Sequence, residues 1–227
     1  MPVNPVLDYG YVSLVDFMGG DNKVVESARV SYGKDTDRSR DPAKDEKLIH
    51  YLWRNRHTSP FESTVFTFEV KAPIFVTRQW MRHRTWSYNE ISGRYTEVLD
   101  DFYLPSPSMF GIQSRANKQQ RDVHEYQENG VKWFCTMRDH CVATFAKYQD
   151  YLRQGMPREL ARTILPQSTY TRFYGTVNLA NLFKFLMLRN HSHAQYEIQE
   201  YAKAIEAIVA EKCPVSYEAY KGSLTHV

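Results

Sequence analysis

Twice in this chain a β-branched, aromatic stretch runs straight into a helix. Val65 to Val70 alternates in strand fashion, and Pro73 then restarts the chain as a helix through Phe75, Val76, Trp80 and Met81. Thr169 to Val177 is again strand-like, and Asn178 is placed to cap the apolar helix Leu179 to Leu188. Other segments repeat the alternation. Tyr11 to Phe17 is β-rich, and Asp21 is placed to cap a helix running to about Val30. Asp41-Pro42 opens another helix, carrying Leu48, Ile49, Leu52 and Trp53 and ending near Asn55 to His57, before Ser59-Pro60 imposes an extended or turn geometry.

Pro105 to Asn117 reads as a surface loop, and Lys118 to Gln154 as one long helix weakened by Gly130. Pro157 opens a short helix holding Arg158 and Arg162, and Gln195 to Lys212 is a final amphipathic helix. At 227 residues without repeats or low-complexity segments, one domain is expected. No stretch approaches the ~20 apolar residues of a membrane span, and Met1 to Tyr9 lacks a signal-peptide pattern, so the expected location is the cytoplasm. Cys135, Cys141 and Cys213 form no CxxC pair and read as packing residues.

The strongest functional signal is the run Arg82-His83-Arg84-Thr85-Trp86-Ser87-Tyr88-Asn89-Glu90-Ile91-Ser92-Gly93-Arg94-Tyr95. From Lys71 to Tyr95, five cations (Lys71, Arg78, Arg82, Arg84, Arg94) face one acid, Glu90, although the whole chain carries only +3. Such local charge fits a small anionic ligand better than the diffuse basic surface of a duplex-binding protein. Guanidinium offers a planar fork that pairs bidentately with phosphate or carboxylate and keeps its charge at any physiological pH. Arg78 and Arg82 share a helix face, and Ser87 to Gly93 reads as a loop, so helix end and loop together make a pocket wall.

Between two arginines, His83 is disfavoured as a cation and is available as a neutral hydrogen-bond partner. His57 reads as a capping cation at a helix end, and Arg189 as a complement to the dipole of the helix it terminates. His191 and His193, with Glu197 at helical spacing, lack an HExxH or cysteine set, so no metal is expected. There is no GxGxxG, no GxxxxGK[ST] and no GxSxG, and no cysteine lies near the cluster. Rossmann, P-loop and thiol-nucleophile chemistry are disfavoured accordingly.

Arg82-His83-Arg84 followed after seven residues by Ser92, with Asn89-Glu90, Gly93 and Arg94-Tyr95 extending the match, resembles the signature of the flavin-dependent thymidylate synthases. Similar segments span Ala28 to Ser31, His57 to Glu62, Lys71 to Tyr95, Pro157 to Pro166, Tyr170 to Asn178 and Leu188 to Tyr201, leaving Asp101 to Gln154 variable. The resemblance implies a mixed central sheet flanked by helices, in a single α/β domain assembling as a homotetramer with active sites shared between chains. It implies reductive methylation of deoxyuridylate (dUMP) to thymidylate, with methylenetetrahydrofolate as carbon donor and NADPH as reductant through FAD.

By position, the resemblance assigns FAD to Ser59, Arg82, His83, Arg84, Glu90, Asn178 and His193, with His57 and Ser31 nearby. It assigns dUMP to Gln79, Arg82, Glu90, Ser92, Gly93, Arg94 and Arg162. Arg189 corresponds to the arginine that favours loss of the uracil N3 proton, and so counts as both substrate-binding and catalytic. Ser92 has no histidine and acid pair to activate it and reads as a phosphate donor. Some relatives carry arginine where this chain has Ala180 and asparagine where it has Lys184; Lys184, one helical turn on, either supplies the lost charge to the flavin site or is solvated. An alternative reading, a single-stranded nucleic-acid-binding module, would track phosphates with the cluster and stack bases on Trp80, Trp86, Tyr88 and Tyr95.

Overall fold

The computed structural model describes residues 3–31, 41–122 and 129–224. Its centre is a five-stranded sheet in the order β1-β2-β3-β7-β4, built from β1 (Val3–Val6), β2 (Gly10–Met18), β3 (Val65–Pro73), β4 (Ser87–Glu90) and β7 (Tyr170–Asn178). Every pairing is antiparallel, so the sheet is not the mixed one expected. A helical excursion separates each later strand from its predecessor, and the chain re-enters the sheet each time against the direction of its neighbour.

Alternation along the strands sorts the two faces. Phe66, Phe68, Val70 and Ala72 of β3 are buried and lie opposite Val177, Gly175, Phe173 and Thr171 of β7. Against this face pack α6 (Leu179–Arg189) and α7 (Tyr196–Lys212), which supply Leu182, Phe185, Leu186, Ile198, Tyr201 and Ile205 to the same cluster. The intervening positions are polar: the Thr67 and Thr176 hydroxyls meet at 2.9 Å, and Glu69 accepts from the Tyr11 hydroxyl while pairing with Arg172. One-sided covering of this kind suits an antiparallel sheet.

Both strand-to-helix junctions fold as the sequence indicates. Pro73 ends β3, and α3 (Ile74–Trp80) begins at the next residue. Asn178 ends β7, and its carboxamide oxygen accepts from Asn181 N, satisfying a first-turn donor of α6. Asp41 likewise caps α2 (Pro42–Arg54) by accepting from Ala43 N and Lys44 N.

Four expectations change. Gly20, not Asp21, is the N-cap of α1 (Asp21–Val30); the Asp21 carboxylate instead accepts from Val215 N and Ser216 N, each at 2.9 Å, at the start of α8 (Pro214–Leu224). Amides left free at a helix start are strong donors to an anion. Asp21→Ala is expected to destabilise the fold by about 1–2 kcal/mol, read from urea midpoints, with Asp21→Asn recovering only part of the loss, because one of the two accepting oxygens becomes a donor.

Gln195 to Lys212 is therefore not the last helix, since α8 follows it. The long helix α4 starts at Gly130, not Lys118, and runs to Arg153. Before it, β5 (Ile112–Gln113) pairs with β6 (Arg121–Asp122), and residues 123–128 of the expected helix lie outside the described residues. Ser114 and Asn117 bind nearby backbone amides through their side chains, which favours a turn over a helix there. Finally, Ser87–Glu90 is strand β4, not loop, because the edge of β7 offers it a ladder partner that local composition does not reveal. The short α5 (Arg158–Ala161) and the single turn Arg162–Ile164 carry Arg158 and Arg162 as expected.

Candidate active site

Helix α3 delivers Arg78, Gln79 and Trp80, and the chain then leaves the helix in a turn. His83 N donates to Trp80 O at 2.9 Å and Trp86 N to His83 O at 3.2 Å. The Tyr88 hydroxyl closes this turn by donating to Trp80 O and His83 O, at 3.0 and 3.1 Å. Two indoles anchor it: Trp80 is wholly buried among Trp86, Phe173, Phe185 and Tyr201, and Trp86 lies over Gly175. A Cβ at Gly175 would sit 3.1 Å from the Trp86 ring, so glycine is what lets the indole settle on the sheet. Of the four rings that the nucleic-acid alternative would stack on bases, Trp80 and Trp86 are in the core, Tyr88 is half-buried and Tyr95 is exposed.

Arg189, the last residue of α6, meets this turn. Its Nε donates to His83 Nε2 at 2.9 Å and its Nη2 to the Gln79 carbonyl oxygen at 3.0 Å. Accepting at Nε2 requires His83 to be neutral with its proton on Nδ1. Burial, and then the Arg189 charge, push the imidazole down from its usual 6.5 to about 4. Arg82 and Arg84 flank His83 in the sequence, but burial and the charge of Arg189 are what depress it. Since the folded-state value is depressed, this contribution to stability is complete above about pH 6.5 and is lost as pH falls through about 4. Ligand binding in a cavity beside this pair is expected to weaken as pH falls through about 4, and His83→Gln, which accepts without titrating, to flatten that fall in a binding titration.

A cavity of about 760 Å³ opens beside this pair, lined by Gln79, Arg189, His191, His193 and Gln195 together with Gln119. The His191 and His193 rings meet edge to face, and Glu197, once a candidate partner of His193, is committed elsewhere: it accepts from Tyr103, Arg121 and Gln195. A second cavity, of about 360 Å³, gathers Glu90, Gly93 and Arg162 with Lys71, Tyr170 and Arg172. There the Glu90 carboxylate accepts from the Thr171 hydroxyl at 2.6 Å. A Cβ at Gly93 would lie 3.2 Å from Arg162 Cδ, so the glycine makes room for that arginine. Ser92 Oγ accepts from Arg94 N at 3.2 Å, and exposed Arg94 lies 3.7 Å from Glu159.

The candidates thus divide. Gln79, Arg189, His193 and, behind them, His83 share one cavity; Glu90, Gly93 and Arg162 share the other, with Ser92 and Arg94 in the adjoining turn. Ser59, Arg82, Arg84, Asn178 and Lys184 line neither. Arg82 and Arg84 are exposed on their turn and have no ion-pair partner among the described residues. Ala180 is buried in the core, while exposed Lys184 donates to Asn181 Oδ1 at 3.3 Å, one link from the Asn178 cap. Gln119, Gln195, Arg121 and the structural role of Glu197 were missed. An acid in the first turn of a helix reads as a dipole complement, and nothing in the sequence marks it as buried.

Fold and site together define an α/β protein in which an arginine at a cavity wall, Arg189, is held by the neutral His83. The family model for thymidylate synthase complementing protein matches residues 13–215. Curated relatives include a flavin-dependent thymidylate synthase of Thermotoga neapolitana, 49% identical with 97% of each chain covered. Another, from Thermus thermophilus, is 47% identical over 97% of this chain and 78% of its own. Among solved structures, the UMP/dUMP methylase PolB of Streptomyces cacaoi, bound with 5-Br dUMP, superposes with a TM-score of 0.87 at 38% identity, covering 96% of this chain and 97% of that one. The chain belongs to the flavin-dependent thymidylate synthase family.

Proposed function

We propose that this protein methylates carbon 5 of deoxyuridylate to give thymidylate, taking the carbon from methylenetetrahydrofolate. The observation that carries the reading is Arg189: it lines the larger cavity while two of its donors are fixed by His83 Nε2 and the Gln79 carbonyl. Its remaining N–H groups are left for a ligand. A uracil that gives its N3 proton to solvent carries negative charge over O2, N3 and O4, so its carbonyls draw less density from the N1–C6=C5 enamine, and a fixed guanidinium stabilises that charge without itself giving up a proton. Carbon 5 then attacks the methylene carbon, the bond from that carbon to the folate nitrogen breaks, the carbon 5 hydrogen leaves to solvent as a proton, and no cysteine nucleophile is required. Neutral His83 suits this role, because an imidazolium would repel Arg189 and lose the lone pair that holds it.

A bound FAD, once reduced by NADPH, would supply the hydride that completes the methyl group. The residues present fit such a group. Exposed Arg82 and Arg84 offer forked donors to a pyrophosphate, His83 and His193 stand beside the cavity, and the Asn178-Asn181-Lys184 chain offers polar contacts at the start of α6, with Ser59 and Glu90 completing the set. The separation of Gln79 and Arg189 from Glu90, Ser92, Gly93, Arg94 and Arg162 supports a homotetramer in which one chain's loop completes another chain's cavity. Single-domain organisation and a cytoplasmic location belong to the same reading; no helix among the described residues is long and apolar enough to cross a membrane.

Tritium release from carbon 5 of labelled deoxyuridylate, with thymidylate formed in equal amount, tests this directly. Both are expected to require FAD, NADPH and methylenetetrahydrofolate. The PolB structure is also known bound with 5-Br UMP, so uridylate belongs beside deoxyuridylate in the assay. Absence of release with either nucleotide by flavin-loaded protein would overturn the proposal.

A further inference from the structure

Behind the larger cavity lies a line of hydrogen bonds whose direction is set by one buried acid. Glu197 is 1% exposed, and its carboxylate is fully engaged: Oε1 accepts from Tyr103 OH at 3.0 Å and from Arg121 Nη2 at 2.8 Å, and Oε2 accepts from Gln195 Nε2 at 2.8 Å. The line continues outward, with Gln195 Oε1 accepting from Gln79 Nε2 at 2.6 Å. An amide is symmetric in shape, so a glutamine can in principle be turned either way. A carboxylate is not ambiguous, because it only accepts. Glu197 therefore forces the NH₂ of Gln195 toward itself, which turns the Gln195 oxygen toward Gln79, which in turn commits the Gln79 NH₂ inward.

We infer that Glu197 is a positioning residue that fixes the polarity of the Gln195-Gln79 pair, so that Gln79 offers the cavity a carbonyl acceptor and selects a donor on the bound nucleotide. Among the described residues Gln79 Oε1 has no hydrogen-bond donor, and Gln79 and Gln195 both line the cavity. Beside Arg189, which can only donate, Gln79 then places an acceptor next to donors. That pattern matches an imide edge, where an N–H is flanked by carbonyl oxygens, and opposes an amidine edge carrying an amino group next to a bare ring nitrogen. Arg121 ties the β5-β6 hairpin to the same acid. Gln120 of that hairpin donates to the Ser192 and Ala194 carbonyls, so the loop bearing His191 and His193 is held with it.

This inference rests on the larger cavity being the nucleotide site. Glu197→Gln replaces the acceptor with a group that also donates, so the pair loses its fixed direction. Binding of 5-bromo-deoxyuridylate to flavin-loaded protein, followed by calorimetry, is expected to weaken roughly tenfold, the effect of one misdirected hydrogen bond. Glu197→Asp, which keeps an acceptor-only group, should recover part of that loss. In a Gln195→Met background the Glu197→Gln effect should disappear, since the acid acts through Gln195. Thermal melting separates simple destabilisation from misdirection, and Gln195→Met alone, at a half-buried helix start, tests the relay if Glu197→Gln does not fold. If the parent protein binds the analogue and Glu197→Gln or Gln195→Met binds it equally well, the relay is refuted. If the parent protein itself does not bind it, the nucleotide reading of the cavity fails first.

Discussion

Arg189→Ala should abolish most thymidylate formation while leaving flavin bound. Removing one preorganised donor from the site of developing charge costs roughly 10²–10³-fold in turnover in well-characterised enzymes. Arg189 ends α6 and is only half-buried, so its loss trims a cavity wall and not the core. Flavin absorbance per protomer and the melting temperature are therefore expected to change little. Arg189→Lys is the sharper comparison: a lysine keeps the charge but cannot donate at once to His83 Nε2 and the Gln79 carbonyl from a planar fork, so it should recover only a minor part of the activity. Tritium release and product formation, measured on flavin-matched samples, decide the point. Near-normal turnover in Arg189→Ala would remove this residue from the chemical step.

Trp80→Ala is the largest expected loss of stability. The indole has no exposed surface and contacts Trp86, Phe173, Phe185 and Tyr201, so truncation leaves a cavity costing about 3–5 kcal/mol. Against a typical total of about 5–15 kcal/mol, that leaves little margin at growth temperature. The same substitution loosens the turn carrying His83, because the indole anchors in the core the residue at which that turn begins. Trp80→Phe should be far milder. Trp80 Nε1 is buried without a hydrogen-bond partner among the described residues, so phenylalanine removes an unsatisfied donor along with some volume. Urea denaturation followed by intrinsic fluorescence gives both values, and a cost below about 1 kcal/mol for the alanine variant would contradict the packing described.

The parts of this fold legible from sequence were those governed by local rules. Asn178 and Asp41 accept first-turn amides, and Pro73 restarts a helix, because caps and φ restrictions act within a few residues. What stayed hidden depends on distant partners. Ser87–Glu90 has loop composition and becomes a strand only because β7 lies beside it. Asp21 looks like a local cap and serves a helix near the other end of the chain. The site divides the same way. The arginine cluster and His83 announced an anion site by charge density, whereas the pairing of His83 with Arg189 spans 106 positions and has no sequence pattern of its own. Glu197 was named for spacing from His193, yet its partners are Tyr103, Arg121 and Gln195, which only the fold assembles.

The seat of α8 carries a consequence for how the chain is made. Its first amides are held by Asp21, 194 residues earlier, its Ser223 hydroxyl accepts from the Trp53 indole N–H, and its Tyr220 ring stacks on Phe183. On the ribosome these three sites emerge long before the helix that completes them. A nascent chain therefore carries an unmatched carboxylate and bare aromatic surface until α8 has been made, and its docking joins segments with a high entropic cost of closure. Deleting α8 would leave that exposed state as the end product.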